Sequence, residues 1–288
     1  MDVLMGLLAA LLWGGTDVLV GVNARAVGVR RAVFFSQAIA LLLLSLWLLV
    51  FPQLALRALE VPLQVWLLGV LAASLAVAGA LMLAQAFVLG KAAIISPLVT
   101  LYGLFTTLLS WATGEQLSLV QFSIICLCVF GVLLTSVQPR AEATRHPRML
   151  RSIICALGAA ALYGTSFWLQ GRYTLVALGP IPALWLVYLV GVIGLSFTMF
   201  RGGVGGLRLP ALRLCAPLVL VSVLNLGGFL AFSYGAMAGS VSVVTVISTL
   251  SGGIATVLAY LIFKEKLSWV QVVGVGLVLV GAFALHLN

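Results

Sequence analysis

The sequence predicts an all-α integral membrane fold of ten transmembrane helices, arranged as two inverted five-helix repeats around a central cavity. Three observations predict it: a composition too apolar for water, charged residues set about one membrane span apart, and a self-similarity at an offset of 150 residues.

Of the 288 residues, 64% are hydrophobic and 7% charged, and the mean hydropathy is +1.28. A soluble domain carries about 25% charged residues, so this chain cannot cover a water-facing surface. A lipid bilayer is therefore its expected solvent, since lipid-facing positions need no polarity. The 30 glycines fit close packing of membrane helices. The net charge of +9 does not point to nucleic acid. The 15 Lys and Arg sit in short gaps between apolar runs, not with aromatics on one exposed face. Cys126, Cys128, Cys155 and Cys215 lie in or beside apolar runs without Cys-x-x-Cys spacing, and are expected to be small buried residues. Asp2 stands where a signal peptide carries a basic stretch, so no cleaved leader is expected. No cofactor and no metal is expected.

A membrane helix needs about 20 apolar residues. Charge-free runs of 25, 30, 23 and 24 residues separate Arg31, Arg57, then Glu60, Lys91, Glu115 and Arg140; runs of 20 and 28 separate Arg151, Arg172 and Arg201. The 50 residues between Arg213 and Lys264 would form a helix of about 75 Å against a core of about 30 Å. That run must hold two helices, with a break near Gly239. A first helix from about Val3 to Gly21, interrupted only by Asp17, and a last one after Lys266 complete the ten. The longest hydrophilic stretch, 138–150, divides the chain into halves at 1–137 and 151–288. The glycines between Arg201 and Arg213 lack the Gly-Lys-Ser/Thr of a phosphate loop and read as a turn.

Basic residues alternate between the loops. Arg25, Arg30, Arg31, Lys91, the arginines of the central link, Arg201, Arg208, Arg213, Lys264 and Lys266 fall on one side; only Arg57 and Arg172 fall on the other. The positive-inside rule makes the first side cytoplasmic and both termini periplasmic, in a bacterial inner membrane.

The offset of 150 aligns Glu115-Gln116-Leu117-Ser118 with Glu265-Lys266-Leu267-Ser268, Val120-Gln121 with Val270-Gln271, and Gly131 with Gly281. It also aligns Leu12-Trp13-Gly14 with Leu162-Tyr163-Gly164, and Gly21 with Gly171. Five helices per half is an odd number, so the second half inserts upside-down. Inverted repeats are a mark of secondary transporters, which bind solute near the bilayer midplane. The repeated Glu115 and Glu265 read as helix-start residues that complement the helix dipole.

The Glu-x-Leu-Ser-x-x-Gln element opening the last helix of each half resembles the EamA-type repeat of the drug/metabolite transporter superfamily. So does the Leu11-Leu12-Trp13-Gly14 segment with its partner Leu162-Tyr163-Gly164. The resemblance covers nearly the whole chain and implies a ten-helix exporter or exchanger with a central cavity. The superfamily carries amino acids, nucleotide sugars, sugar phosphates, cationic drugs and other metabolites, so the solute is not fixed by it.

Asp17 is the one carboxylate well inside a predicted span, where an unpaired charge costs about 2.5 kcal/mol or more. It shares a helical face with Trp13 and Thr16. Three readings are open: an acceptor for a solute ammonium, a proton-coupling site, or a structural Asp bonded to nearby hydroxyls. Tyr163, Ser166, Phe167 and Gln170 share one face of the sixth helix. Trp185 and Tyr188, Tyr102 and Thr106, and Asn225 are further cavity candidates. Thr245, Ser248, Thr249, Gly252 and Thr256 form a stripe that either lines a cavity or lets two helices pack closely. Pro97 should distort the fourth helix, as a hinge or by freeing a carbonyl for a ligand.

With no Lys or Arg mid-span, densely anionic sugar phosphates lack fixed cations. Aromatics, hydroxyls, one amide and one carboxylate suit a zwitterion. Together with the resemblance, which extends to the superfamily's aromatic-amino-acid exporters, this makes amino-acid export the leading expectation. The rival is proton-coupled export of cationic drugs or polyamines through Asp17. Enzyme activity is not expected: the two histidines, His146 and His286, lie outside or at the end of spans, away from any acid–base pair.

Overall fold

A computed structural model describes residues 1–114, 118–135, 148–201, 210–239, 241–264 and 268–287. Glu115, Glu265, His146, most of the central link and the glycine-rich turn fall outside these residues, as do the side chains of Cys128 and His286.

Helix α1 (Asp2–Val27) and α2 (Val29–Val50) are joined by Gly28 alone. Its φ of 88° is one that side chains rarely adopt, which makes glycine the fitting residue for so short a link. The first helix therefore runs six residues past the predicted end at Gly21. Arg25 sits in its last turn, where a cation complements the helix dipole. Short α3 (Pro52–Leu59), opened by its proline, leads to α4 (Leu63–Leu89). The predicted fourth helix is two pieces, α5 (Ala92–Val99) and α6 (Tyr102–Ala112), followed by α7 (Leu119–Thr135).

The second half contains α8 (Met149–Leu169), a π-helical turn (Gln170–Thr174), α9 (Leu175–Leu178), α10 (Pro180–Arg201) and α11 (Leu212–Ala238). Then come α12 (Val241–Ser248), α13 (Leu250–Phe263) and α14 (Trp269–Leu287). The break expected near Gly239 is present, between α11 and α12. Among the described residues, 8 segments are long and apolar enough to cross a membrane: α1, α2, α4, α5–α6, α8–α9, α10, α11 and α12–α13. Helices α7 and α14, also apolar, pack along each other.

The halves repeat element by element. Helices α2 and α10 both have 22 residues, α4 and α11 both have 27, and α5 and α12 both have 8. The offset drifts, however. It is 150 at Gly21 and Gly171, 151 from α2 to α10, and 149 from α4 to α11. The step to 151 falls at the π turn, which accommodates one extra residue within a continuous helix. Gly179, φ 78°, then takes the part of Gly28.

Contacts between the halves are exchanged. Helix α1 packs on α11, and its counterpart α8 packs on α4, the counterpart of α11. A Cβ at Gly14 would stand 2.6 Å from Ile254 of α13, and one at Gly164 would stand 2.5 Å from Phe105 and 2.6 Å from the Tyr102 carbonyl of α6. The two broken segments are the most enclosed, 67% buried against 22% for α2. In each, a threonine marks the break and bonds back three residues: Thr100 to the Pro97 carbonyl at 2.7 Å, Thr249 to the Val246 carbonyl at 2.6 Å. Such back-bonding competes with the helical ladder and bends it. A break also appears at Thr249, in the repeated segment, without a proline. The breaks cross: a Cβ at Gly252 would meet Thr100 at 2.8 Å, and one at Gly103 would meet Thr249 at 2.7 Å.

The outer surface is apolar, with Leu49, Leu119, Trp111 and Leu212 exposed, as lipid contact requires. The cysteines depart from expectation here. Cys126 faces outward, and Cys155 and Cys215 are only half-buried. In a bilayer a thiol on the lipid side is no costlier than one in the core, so burial was not needed to explain it.

Candidate functional site

A cavity lies between the two halves. Its wall draws on α1, α2, α4, α5, α6, α8, α11 and α13.

The stretch of α1 from Trp13 to Asn23 supplies Trp13, Thr16, Asp17 and Asn23, on one face of a continuous helix. The start of α2 gives Ser36 and Gln37, and the end of α4 gives Ala80, Leu83 and Ala84. All these segments lie toward the Gly28 and Lys91 connections, near the end of the bundle that carries Arg25, Arg30, Arg31 and Lys91. Toward the other end the helices pack closely. A Cβ on Gly6 would stand 2.9 Å from Ile247, and one on Gly235 would stand 2.9 Å from Met5.

The floor of the cavity is aromatic. Trp13, Phe167 and Tyr163 form a near-parallel stack, with centroids 5.5 and 5.9 Å apart and both interplanar angles 14°. Phe229 meets Trp13 edge-on at 5.1 Å, and Tyr102 meets Phe167 edge-on at 5.2 Å. Each such pair adds about 0.5–1.5 kcal/mol beyond its burial, so the floor is held rigidly. The Tyr102 hydroxyl is fixed by a 2.8 Å hydrogen bond with Ser248.

Asp17 is 6% exposed and borders this cavity. Beside it stands Ser96, a buried hydroxyl with no hydrogen bond of good geometry. Thr16 donates to its own helix, at the Leu12 carbonyl. Asn23 donates to the Pro217 carbonyl at 3.1 Å and ties α1 to α11. The Gln37 Oε1 is buried without a described partner.

Of the residues expected from sequence, Trp13, Thr16, Asp17, Tyr102, Tyr163 and Asn225 are on this wall. Five others lie elsewhere. Gln170 donates to Ser166, which in turn donates to the Ala72 carbonyl of α4. Trp185 donates to Ser45 at 3.0 Å and joins α10 to α2. Tyr188 is buried edge-on against Phe229. Ser248 donates back to the Thr245 carbonyl, and Gly252 sits at the crossing of the breaks. In the threonine stripe, Thr245, Ser248, Thr249 and Thr256 all donate to their own helix. That is the close-packing alternative. The wall also holds Asn23, Ser36, Gln37, Phe229 and Ser251, which the sequence did not single out. Asn23 lies beyond the predicted end of the first helix, and Ser36 and Gln37 are isolated polar residues in an apolar run.

The EamA-like transporter family model matches residues 1–137 and 150–287, nearly the whole chain in two copies. The chain belongs to the EamA-like transporter family. A solved crystal structure shares its fold at a TM-score of 0.78, with 17% identity over 99% of this chain and 96% of that one. No curated protein matches the chain. This EamA-like protein is thus a multi-pass membrane protein of a family that transports small solutes, not of an enzyme family.

Proposed function

We propose that the protein is a secondary transporter that exports amino acids, aromatic ones foremost, by alternating access. The observation that carries this reading is the composition of the central wall. One carboxylate, Asp17, faces a chamber floored by Trp13, Tyr102, Tyr163, Phe167 and Phe229, with no Lys or Arg on its lining. An ammonium suits Asp17, and an aromatic side chain suits the stacked rings.

The architecture of this reading is ten spans, with α7 and α14 as the fifth and tenth, in halves 1–137 and 151–288 joined by a cytoplasmic link at 138–150. Matched helix lengths and exchanged contacts support the pairing of halves, and an odd span count per half inverts the second. The membrane is a bacterial inner membrane with both termini periplasmic, on the distribution of basic residues. The wall segments of α1, α2 and α4 near the basic end then lie toward the cytoplasm, where an exporter loads. Fusion of alkaline phosphatase to the C-terminus should give active enzyme. An inactive fusion beside a fluorescent C-terminal green fluorescent protein would reverse the topology.

Counterflow in proteoliposomes tests the solute. Labelled phenylalanine should accumulate well above protein-free vesicles, and hexose phosphate should not. Flux of a cationic dye or a sugar phosphate without any amino-acid flux would overturn the reading. A second reading rests on Asp17 as the sole carboxylate on the wall: proton-coupled export of cationic drugs or polyamines.

A further inference from the structure

A second chamber adjoins the central one. It lies between α1, the end of α4 and the start of α5, and shares Asp17 with the main cavity. Its wall also carries Gly21, Arg25, Phe87 and Lys91. Asp17, Gly21 and Arg25 follow one another at four-residue steps along one face of α1. Helical side chains lean toward the N-terminus, and Arg25 does so: its Nη2 lies 3.4 Å from where a Gly21 Cβ would be. The guanidinium therefore stands about one helical turn, ~6 Å, from the level of Asp17. Asp17 and Arg25 make no ion pair. One of the five guanidinium donors goes to the Phe87 carbonyl at 2.7 Å. Lys91 and the first residues of α5 add a cation and the positive end of a helix dipole.

A matching chamber lies where the second half repeats the first. Ser110, Thr113 and Arg172 line it, with Arg172 answering to Val22. So do Trp168, Gly171, Val176, Gly239 and Val241. Following the drifting offset, these answer to Val18, Gly21, Arg25, Gly90 and Ala92 of the first chamber. At the position of Arg25 stands Val176, and at the position of Asp17 stands Phe167. The second chamber has an arginine of its own, Arg172, but no carboxylate on its described lining, so the opposed pair of acid and base is found on one side only.

We propose that the first chamber binds the carboxylate of the transported solute, so that a zwitterionic α-amino acid lies with its ammonium at Asp17 and its carboxylate at Arg25 and Lys91. Gly21 lets the Arg25 guanidinium and Phe87 lie close against the helix, and the side chain projects onto the aromatic floor. This rests on the amino-acid reading above and narrows it: solutes lacking a carboxylate bind more weakly.

The test is inhibition of labelled phenylalanine counterflow by unlabelled phenylalanine and by phenylethylamine, which lacks the carboxylate. Wild-type protein should prefer phenylalanine by about tenfold or more, the worth of a charge-assisted hydrogen bond. Arg25→Gln and Lys91→Gln should each collapse that preference, Arg25→Lys should keep most of it, and Arg57→Gln should leave it unchanged. Thermal unfolding in detergent confirms that each variant is folded. Equal weakening of both compounds would make Arg25 merely a cap on the Phe87 carbonyl and overturn the proposal, leaving amino-acid transport standing. An unchanged preference in both Gln variants would overturn it too. Absence of phenylalanine counterflow in the wild type would overturn both readings together.

Discussion

Asp17→Asn is expected to cut amino-acid counterflow by about tenfold or more while leaving the folded protein intact. The transport loss follows from exchanging a charged acceptor for a neutral amide at the one acidic group on the cavity wall. A hydrogen bond to a charged group is worth about 1.5–3 kcal/mol, and leaving the solute ammonium without its counter-charge forfeits that amount. Stability should hold for a separate reason. Asp17 makes no ion pair among the described residues, and a serine hydroxyl, Ser96, stands beside it, which an amide serves as well. Removing a buried charge that has no ionic partner relieves a cost instead of creating one. Counterflow and thermal unfolding of the same detergent-purified variant check both halves. Retained exchange with lost proton dependence would favour export of cationic solutes. Unfolding would make Asp17 a structural residue.

Gly164→Ala has the opposite signature: a large loss of stability, about 2–4 kcal/mol, at a site outside the cavity wall. The added methyl would lie 2.5 Å from the Phe105 Cβ, 2.6 Å from the Tyr102 carbonyl and 3.2 Å from the Thr106 amide. Two of those three neighbours are backbone, so no rotamer change relieves the overlap. The same approach carries a 2.9 Å hydrogen bond from Thr106 to the Gly164 carbonyl, which separation of the helices would break. Gly194→Ala is the control. Nothing lies within 4 Å of its Cβ position, so helix propensity alone acts, and the variant should be neutral or more stable by up to about 1 kcal/mol. Unfolding in detergent that failed to separate the two would show that α6 and α8 do not approach so closely.

Eight of the ten expected spans were legible in the sequence and are present among the described residues, because a bilayer imposes a length on every apolar run, and Arg, Lys and Glu punctuate those runs. The repeat was legible through Trp13-Gly14 and Tyr163-Gly164, where close helix contacts hold the glycines in register. What the sequence hid was facing. Lipid and protein core are equally apolar, so Leu49 and Leu184 look alike although one is exposed and the other buried. For the same reason Gln37, Ser36 and Asn23 carried no mark of the cavity they border, while Trp185 and Tyr188, as conspicuous as Trp13, pack elsewhere. The single-residue shift at Gln170–Thr174 was also invisible, because a π turn has the same composition as the α-helix around it. The break at Thr249 lacked the proline that announced the one near Thr100.

At the centre of the bundle each interrupted helix presses its glycine, Gly103 or Gly252, onto the threonine methyl at the other's interruption. Neither has slack of its own at this contact. The two interruptions therefore interlock, and a side chain added at either glycine would have to displace the threonine of the other segment.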